Sequence, residues 1–225
     1  MFTESEIQKN NIESALNPKR IVQLFLKPKT FFENIKKFDM RHIHIVTYSV
    51  AILTVMDRID GKLVKNTLSA NPDFSAYSFI LDSWGGYWFS VLGLATIASI
   101  IVWFFYGWWY EIRLKWCGVE NIDTSLARQV NVLQWFVVAF PTIITAIVQT
   151  FLYGNYLETF LSEEIWSGII FILFSFYSCW VSYTASKVVF SANNKALMWF
   201  LILPVVVYFV IFFGIFVAAI TSFHT

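Results

Sequence analysis

Four uninterrupted apolar stretches, at about residues 84–110, 130–152, 165–189 and 196–219, constrain this chain more than any other feature. Crossing about 30 Å of hydrocarbon takes about 20 apolar residues in a helix, and each stretch meets that length. No water completes backbone hydrogen bonds inside a bilayer, so each segment must bond its own N–H and C=O groups and must be helical. Composition agrees. Of 225 residues, 57% are hydrophobic, 20% aromatic and 14% charged, against about 45–50% apolar and about 25% charged in soluble domains. The mean hydropathy is +0.61. With 24 Phe, 10 Trp and 10 Tyr, a soluble core of this size would leave most large side chains facing water. These numbers exclude a disordered chain, a soluble enzyme and a basic nucleic-acid binder, so no nucleic-acid partner is expected.

A fifth stretch, about 43–59, is weaker. Its apolar part from Ile43 to Met56 has 14 residues and ends in Asp57-Arg58-Ile59-Asp60; alone it suits an interfacial segment as well as a span. The placement of Lys and Arg, which favour the cytoplasmic side, decides between the two. Lys9, Lys19, Arg20, Lys27, Lys29, Lys36, Lys37 and Arg41 precede it; Arg58, Lys62 and Lys65 follow it. Arg113, Lys115 and Arg128 lie between the second and third spans, and Lys187 and Lys195 between the last two. The 153–164 loop carries only Glu158, Glu163 and Glu164. Five spans with a cytoplasmic N-terminus put thirteen of the sixteen basic residues inside; four spans put the acidic loop inside and both late lysines outside. Five spans also sort the net charge of +1 into +5 on the cytoplasmic face and −4 on the outer face. Trp84, Tyr87 and Trp88 then sit at the outer interface, and Trp103, Tyr106, Trp108, Trp109 and Tyr110 at the inner one.

The expected fold class is all-α: a polytopic integral membrane protein, a five-helix transmembrane bundle over 42–225 with an amphipathic cytoplasmic leader over 1–41. Residues 1–20 are polar and of mixed charge, with no apolar run behind a basic start, so the first span is expected to direct insertion itself. The C-terminus is expected outside. Two short helices are predicted in the leader. Asn17-Pro18 reads as an N-cap with proline at the first helical position. Thr30-Phe31-Phe32-Glu33 has the form of a capping box and opens a segment with Phe31, Phe32, Ile35 and Phe38 on one side and Lys36 and Lys37 on the other. With Lys27 and Lys29, this segment suits a helix lying in the cytoplasmic leaflet surface; docking on the protein's own helix ends rests on the same amphipathic physics.

Catalytic motifs are missing: there is no His-Glu-x-x-His, Gly-x-Ser-x-Gly or phosphate-cradling glycine loop. Cys117 and Cys179 stand alone and read as small buried apolar residues. His42 and His44 diverge by about 200° on a helix and His224 is terminal, so no metal and no cofactor are expected. Polarity inside the spans is more informative. Gln134, Thr142, Thr145 and Gln149 fall within about an 80° arc of the third. Ser175, Ser178, Cys179, Ser182 and Ser186 share one face of the fourth. These faces form either a polar path for a solute or a close-packing seam, since small and hydroxyl residues let helices approach. Charges near the span ends are further candidates, because charge in a membrane is costly and usually paired. They are Asp57, Arg58 and Asp60 outside, and Glu111, Arg113, Arg128 and Lys187 inside. Glu111 with Arg128 or Lys187 reads as a structural ion pair or as part of a cytoplasmic-side pocket that Pro141 and Pro204 could open.

Three segments carry a family resemblance. Ile21 to Phe32 is an apolar stretch followed by Pro28 and the pair Phe31-Phe32. Gly118 and Ser125-Leu126-Ala127-Arg128 lead to Phe140-Pro141; Ser186-Lys187 and Lys195-Ala196 lead to Leu203-Pro204. In this order the chain resembles the Yip family (Ypt/Rab-interacting membrane proteins) in its compact bacterial form. The resemblance implies five membrane helices, a cytoplasmic N-terminus and a bacterial inner membrane, with an endomembrane as the alternative. It associates eukaryotic members with vesicle trafficking and lipid-modified small GTPases. The Asp-Leu-Tyr-Gly-Pro motif and long cytoplasmic domain of those members do not occur here, which puts a small GTPase partner in doubt. The expected function is non-enzymatic: organising membrane lipids, another membrane protein or further copies of itself. The alternative is a small transporter, channel or lipid-moving protein using Gln134, Gln149, Ser178 and Ser182.

Overall fold

The structure is a computed structural model that describes residues 17–34, 39–67, 69, 73–162 and 165–222, with side chains as far as Gly214. Lys9, Ile35, Lys36, Lys37, Phe38, Glu163, Glu164 and His224 lie outside the described residues. Among those described, every regular element is helical. The leader forms α1 (Pro18–Leu26) and α2 (Pro28–Glu33). The long helix α3 (Met40–Thr67) follows, then a 3-10 turn (Ser75–Tyr77) and the short α4 (Ser78–Leu81). Next come α5 (Trp84–Trp116), α6 (Thr124–Leu152), the short α7 (Tyr156–Leu161) and α8 (Trp166–Phe190). A wide π turn (Leu197–Ile202) opens α9 (Leu203–Ser222).

Among the described residues, four helical stretches are long and apolar enough to cross a membrane: Trp84–Trp116, Thr124–Leu152, Trp166–Phe190 and Leu197–Gly214. The helix α3 has 28 residues, a length of about 42 Å, but its second half is charged. The sequence Asp57-Arg58-Ile59-Asp60 does not end it; charge removes affinity for hydrocarbon, not the backbone ladder, and the helix continues to Thr67. For the same reason α5 runs past residue 110 through Glu111, Arg113 and Lys115.

The centre of the bundle is α6, against which α3, α5 and α8 pack. Its N-terminal half buries Ala127, Val130, Leu133, Phe136 and Val137. Asp123 caps it, its Oδ1 accepting from the amides of Ser125 and Leu126 at 2.9 and 3.1 Å. The helix passes through Pro141 without a break. The loops that follow α5 and α8 are tied by the Asn193 amide, which donates to the Cys117 carbonyl at 3.0 Å. Beside this bond Gly118 takes φ +76, a left-handed conformation that a Cβ disfavours. At the periphery, α9 leaves Val206, Phe209, Val210 and Phe213 exposed, as lipid-facing positions require.

The leader corrects one expectation. Asn17 caps α1 as predicted, accepting from the Lys19 amide at 3.1 Å, but Thr30 does not open α2. Pro28 does: it lacks an N–H and its fixed φ suits the first helical position, so the helix starts two residues earlier. Phe31 and Phe32 are buried and α2 packs against α8, the docked arrangement of the two that the sequence leaves open.

Candidate functional site

The helical repeat of α3 sorts its charges. Leu53, Met56, Asp57 and Asp60 share one side and line a chamber of about 360 Å³ toward the expected outer ends of the helices. Across it stand Thr142, Thr145 and Gln149 of α6 and Ser167, Gly168 and Phe171 of α8. No Lys or Arg is among its lining residues.

The short helix α7 closes one wall. Asn155 caps it by accepting from the Glu158 amide at 2.8 Å, while Glu158 Oε2 accepts from the Gly154 amide at 2.8 Å. This reciprocal cap sets Tyr156, whose hydroxyl donates to Asp60 Oδ1. The Tyr156 ring stacks on Tyr87, centroids 4.0 Å apart. Trp84 Nε1 donates to the Tyr153 carbonyl at 2.8 Å and Trp88 Nε1 to Thr150 Oγ1 at 3.0 Å. Asp60 is one residue past the apolar stretch of α3. Burial raises its carboxyl to about 6; the Tyr156 bond pulls it down and the neighbouring Asp57 pushes it up. Burial likewise lifts the Tyr156 phenol above its ordinary range, with the Asp60 charge adding to the effect.

On the opposite side of α3, Arg58 and Lys62 lie in a groove of about 490 Å³ walled by Ile80, Leu94, Ile97 and Ile101. The three charged residues at the end of the first apolar stretch are therefore divided between two places: Asp57 and Asp60 line the chamber, Arg58 the groove.

Near the expected inner ends, Arg113 of α5, Gln134 of α6, and Ser178 and Ser182 of α8 line a second cavity of about 40 Å³. The hydroxyl face of α8 is largely a packing seam. Ser178 Oγ donates to the Ser175 carbonyl at 2.7 Å, Cys179 Sγ to the same oxygen at 3.4 Å, and Ser186 Oγ to the Tyr183 carbonyl at 2.7 Å. These groups bond to their own helix. Ser182 Oγ, Gln134 Oε1 and Arg113 Nε have no hydrogen-bond partner.

The remaining candidates are engaged with other groups of the protein or exposed. Glu111 pairs with Arg128, Oε1 to Nε 3.6 Å, and accepts from Thr124 Oγ1 at 3.2 Å; the Arg128 guanidinium lies 5.0 Å from the Phe104 ring centroid. Lys187 is not a partner of Glu111: its Nζ donates to the Ala192 carbonyl at 2.8 Å, past the end of α8. In the leader, Lys27 and Lys29 are exposed and Lys29 pairs with Glu33 at 3.8 Å. No group of three or more His, Cys, Asp and Glu could hold a metal among the described residues.

Sequence reasoning missed the aromatic half of both cavities: Tyr87 and Tyr156 in the outer one, Phe200 and Tyr208 in the inner one. A signal for Tyr156 existed. Asn155-Tyr156-Leu157-Glu158 is a capping-box pattern within the acidic loop, and it announces a helix too short for periodicity to reveal.

An all-helical chain with several helices of membrane-crossing length, enclosing polar cavities between apolar outer faces, is a multispanning membrane protein. A family model, the Yip1 domain, matches residues 22–216. The chain belongs to the Yip1 family. The match takes in both leader helices except for the first residues of α1, and every cavity described above. No curated protein and no solved structure matches the chain.

Proposed function

We propose that this Yip1-family chain is a non-enzymatic membrane protein that organises membrane lipids by holding an amphiphile with a cationic headgroup in its outer chamber. It crosses a bacterial inner membrane five times, with the N-terminus in the cytoplasm and α3 as the first span. One observation carries the reading: Asp57 and Asp60 line a chamber of about 360 Å³ whose lining includes no basic side chain. Two acidic groups on one wall of a chamber that no basic side chain lines favour a cationic guest. The chamber size suits a small headgroup rather than a whole lipid. Leu53, Met56, Phe160 and Phe171 supply apolar wall for the start of a chain. Support for the topology comes from the Lys and Arg distribution and from the length of α3.

The test is native mass spectrometry of the full chain released from nanodiscs that contain equal amounts of an amine-headed and an anionic phospholipid. The amine-headed lipid should be retained preferentially, and the preference should vanish in the double variant D57N/D60N. Equal retention of both lipids by the native protein would end this reading.

A second reading, movement of a solute through the bundle, is favoured by the polar arc of α6, which reaches both cavities: Thr142, Thr145 and Gln149 line the outer one and Gln134 the inner one. Replacing Ser178 and Ser182 by Ala and Gln149 by Leu should then abolish flux in proteoliposomes while the protein stays folded. Unchanged flux in that variant would count against it.

A further inference from the structure

The inner cavity poses a problem of charge. The only cation lining it is Arg113, and among the described residues no carboxylate lies within ion-pair distance of its guanidinium. Glu111, two residues earlier on the same helix, points elsewhere and is engaged by Arg128. What Arg113 does have is aromatic: its Cζ lies 4.6 Å from the Phe200 ring centroid and 5.4 Å from that of Tyr110. Ring faces stabilise a cation only modestly, and they leave its Nε–H unbonded.

Three orphan polar atoms belong to residues that line this space. Arg113 Nε, Ser182 Oγ and Gln134 Oε1 are shielded and without partners. Gln134 Nε2 donates to Asn131 Oδ1 at 3.0 Å, while Asn131 Nδ2 is itself unpartnered. Turning both amides over therefore keeps their mutual bond and turns the free end of Gln134 into a donor. Orphaned buried polar groups are rare in native proteins and call for an occupant. A volume of about 40 Å³ exceeds the roughly 30 Å³ share of one water, and is too small for a phospholipid headgroup. An uncompensated guanidinium and a free hydroxyl in such a space define a small, weakly hydrated monovalent anion as the guest.

We infer that Arg113, Ser182 and Gln134 form a buried halide site between α5, α6 and α8, with chloride as the physiological guest. The anion accepts from Arg113 Nε–H, the Ser182 hydroxyl and the Gln134 amide, and it supplies the counter-charge that the protein lacks there. The site is independent of the outer chamber and of any cationic guest bound in it.

The test uses the detergent-purified full chain at fixed ionic strength, with sodium chloride, bromide or iodide compared against sodium gluconate and sodium sulfate. Halides should raise the thermal midpoint by several degrees in a saturable manner, and gluconate and sulfate should not. Trp135 lines the cavity, so iodide should also quench a saturable fraction of tryptophan fluorescence that is absent in W135F. S182A should weaken the halide effect several-fold and R113Q should abolish it. If R113Q does not fold, S182A and the W135F comparison still decide. Equal midpoints in halide and gluconate, an equal or larger effect of sulfate, or a halide effect unchanged in S182A would each overturn the assignment.

Discussion

The Tyr177 hydroxyl of α8 donates to the main-chain carbonyl of Phe25 at 2.6 Å, across 152 positions of sequence. This bond fastens the leader to the bundle. Around it the Phe25 ring sits 5.9 Å from both Phe140 and Phe174, and Leu24, Phe31 and Phe32 are at most 2% exposed. The leader is thus an outer layer of the bundle, with its apolar side against α8 and Lys27 and Lys29 outward. Replacing Phe31 or Phe32 by Ala should cost about 3–5 kcal/mol each, and Y177F about 1 kcal/mol. Unfolding in detergent measures both, and limited trypsin digestion should cut after Lys29 faster in the Y177F protein.

The contact between α4 and α5 has no spare room at Gly86. A Cβ there would lie 1.8 Å from the Phe79 carbonyl oxygen, a backbone atom that cannot swing aside. G86A should therefore destabilise the protein by about 1–3 kcal/mol or more, whereas G93A, which meets nothing within 4 Å on the outer side of α5, should be neutral or slightly stabilising. Comparing the two midpoints in one detergent checks this.

Asp60 makes stability depend on pH. Burial pushes its carboxyl up to about 6 in the folded protein, above the ordinary carboxylate range. The fold therefore favours the protonated form. The stabilisation is complete below the unfolded value and is lost as pH rises through about 6. The midpoint gap between the native chain and D60N should change across pH 4–7, with the native chain losing ground to the variant at the upper end. A constant gap would show that Asp60 is not buried as described.

Cysteine labelling reads the topology. With five spans, D73C in the loop after α3 should react with a membrane-impermeant maleimide from outside, and E120C before α6 only from inside. Both positions are exposed, while the native Cys117 and Cys179 are buried and serve as a silent background. If α3 lies in the interface instead of crossing, the two engineered sites should exchange sides, D73C reacting only from inside and E120C from outside.

Much of the architecture could be read from hydropathy alone, because an apolar run of sufficient length has one stable form in lipid. The long helices α5, α6, α8 and α9 follow from this. The polar arc of α6 was also visible, since a 3.6-residue repeat places Gln134, Thr142, Thr145 and Gln149 together in any straight helix. What could not be read is partnership. Arg58 and Asp57 are sequence neighbours, yet they face opposite sides of α3. Lys187 is as plausible a partner for Glu111 as Arg128 is, until the ends of α5, α6 and α8 are set in space. The hydroxyls of α8 look like a path in the sequence, but those of Ser178 and Ser186 are bonded to the preceding turn. Tyr156 and Tyr208 reach the cavities from segments whose placement depends on long-range packing.

The central claim, that the Asp57 and Asp60 carboxylates hold a cationic headgroup, is tested most directly by equilibrium binding of a fluorescent long-chain alkylamine to the full chain in nanodiscs of neutral lipid. The account predicts saturable binding to the native protein, at least about tenfold weaker in D57N/D60N, a loss of about 1.4 kcal/mol. It also predicts no binding of the corresponding alkyl sulfate at that site. Equal affinity of the native and double-variant proteins for the amine would contradict it.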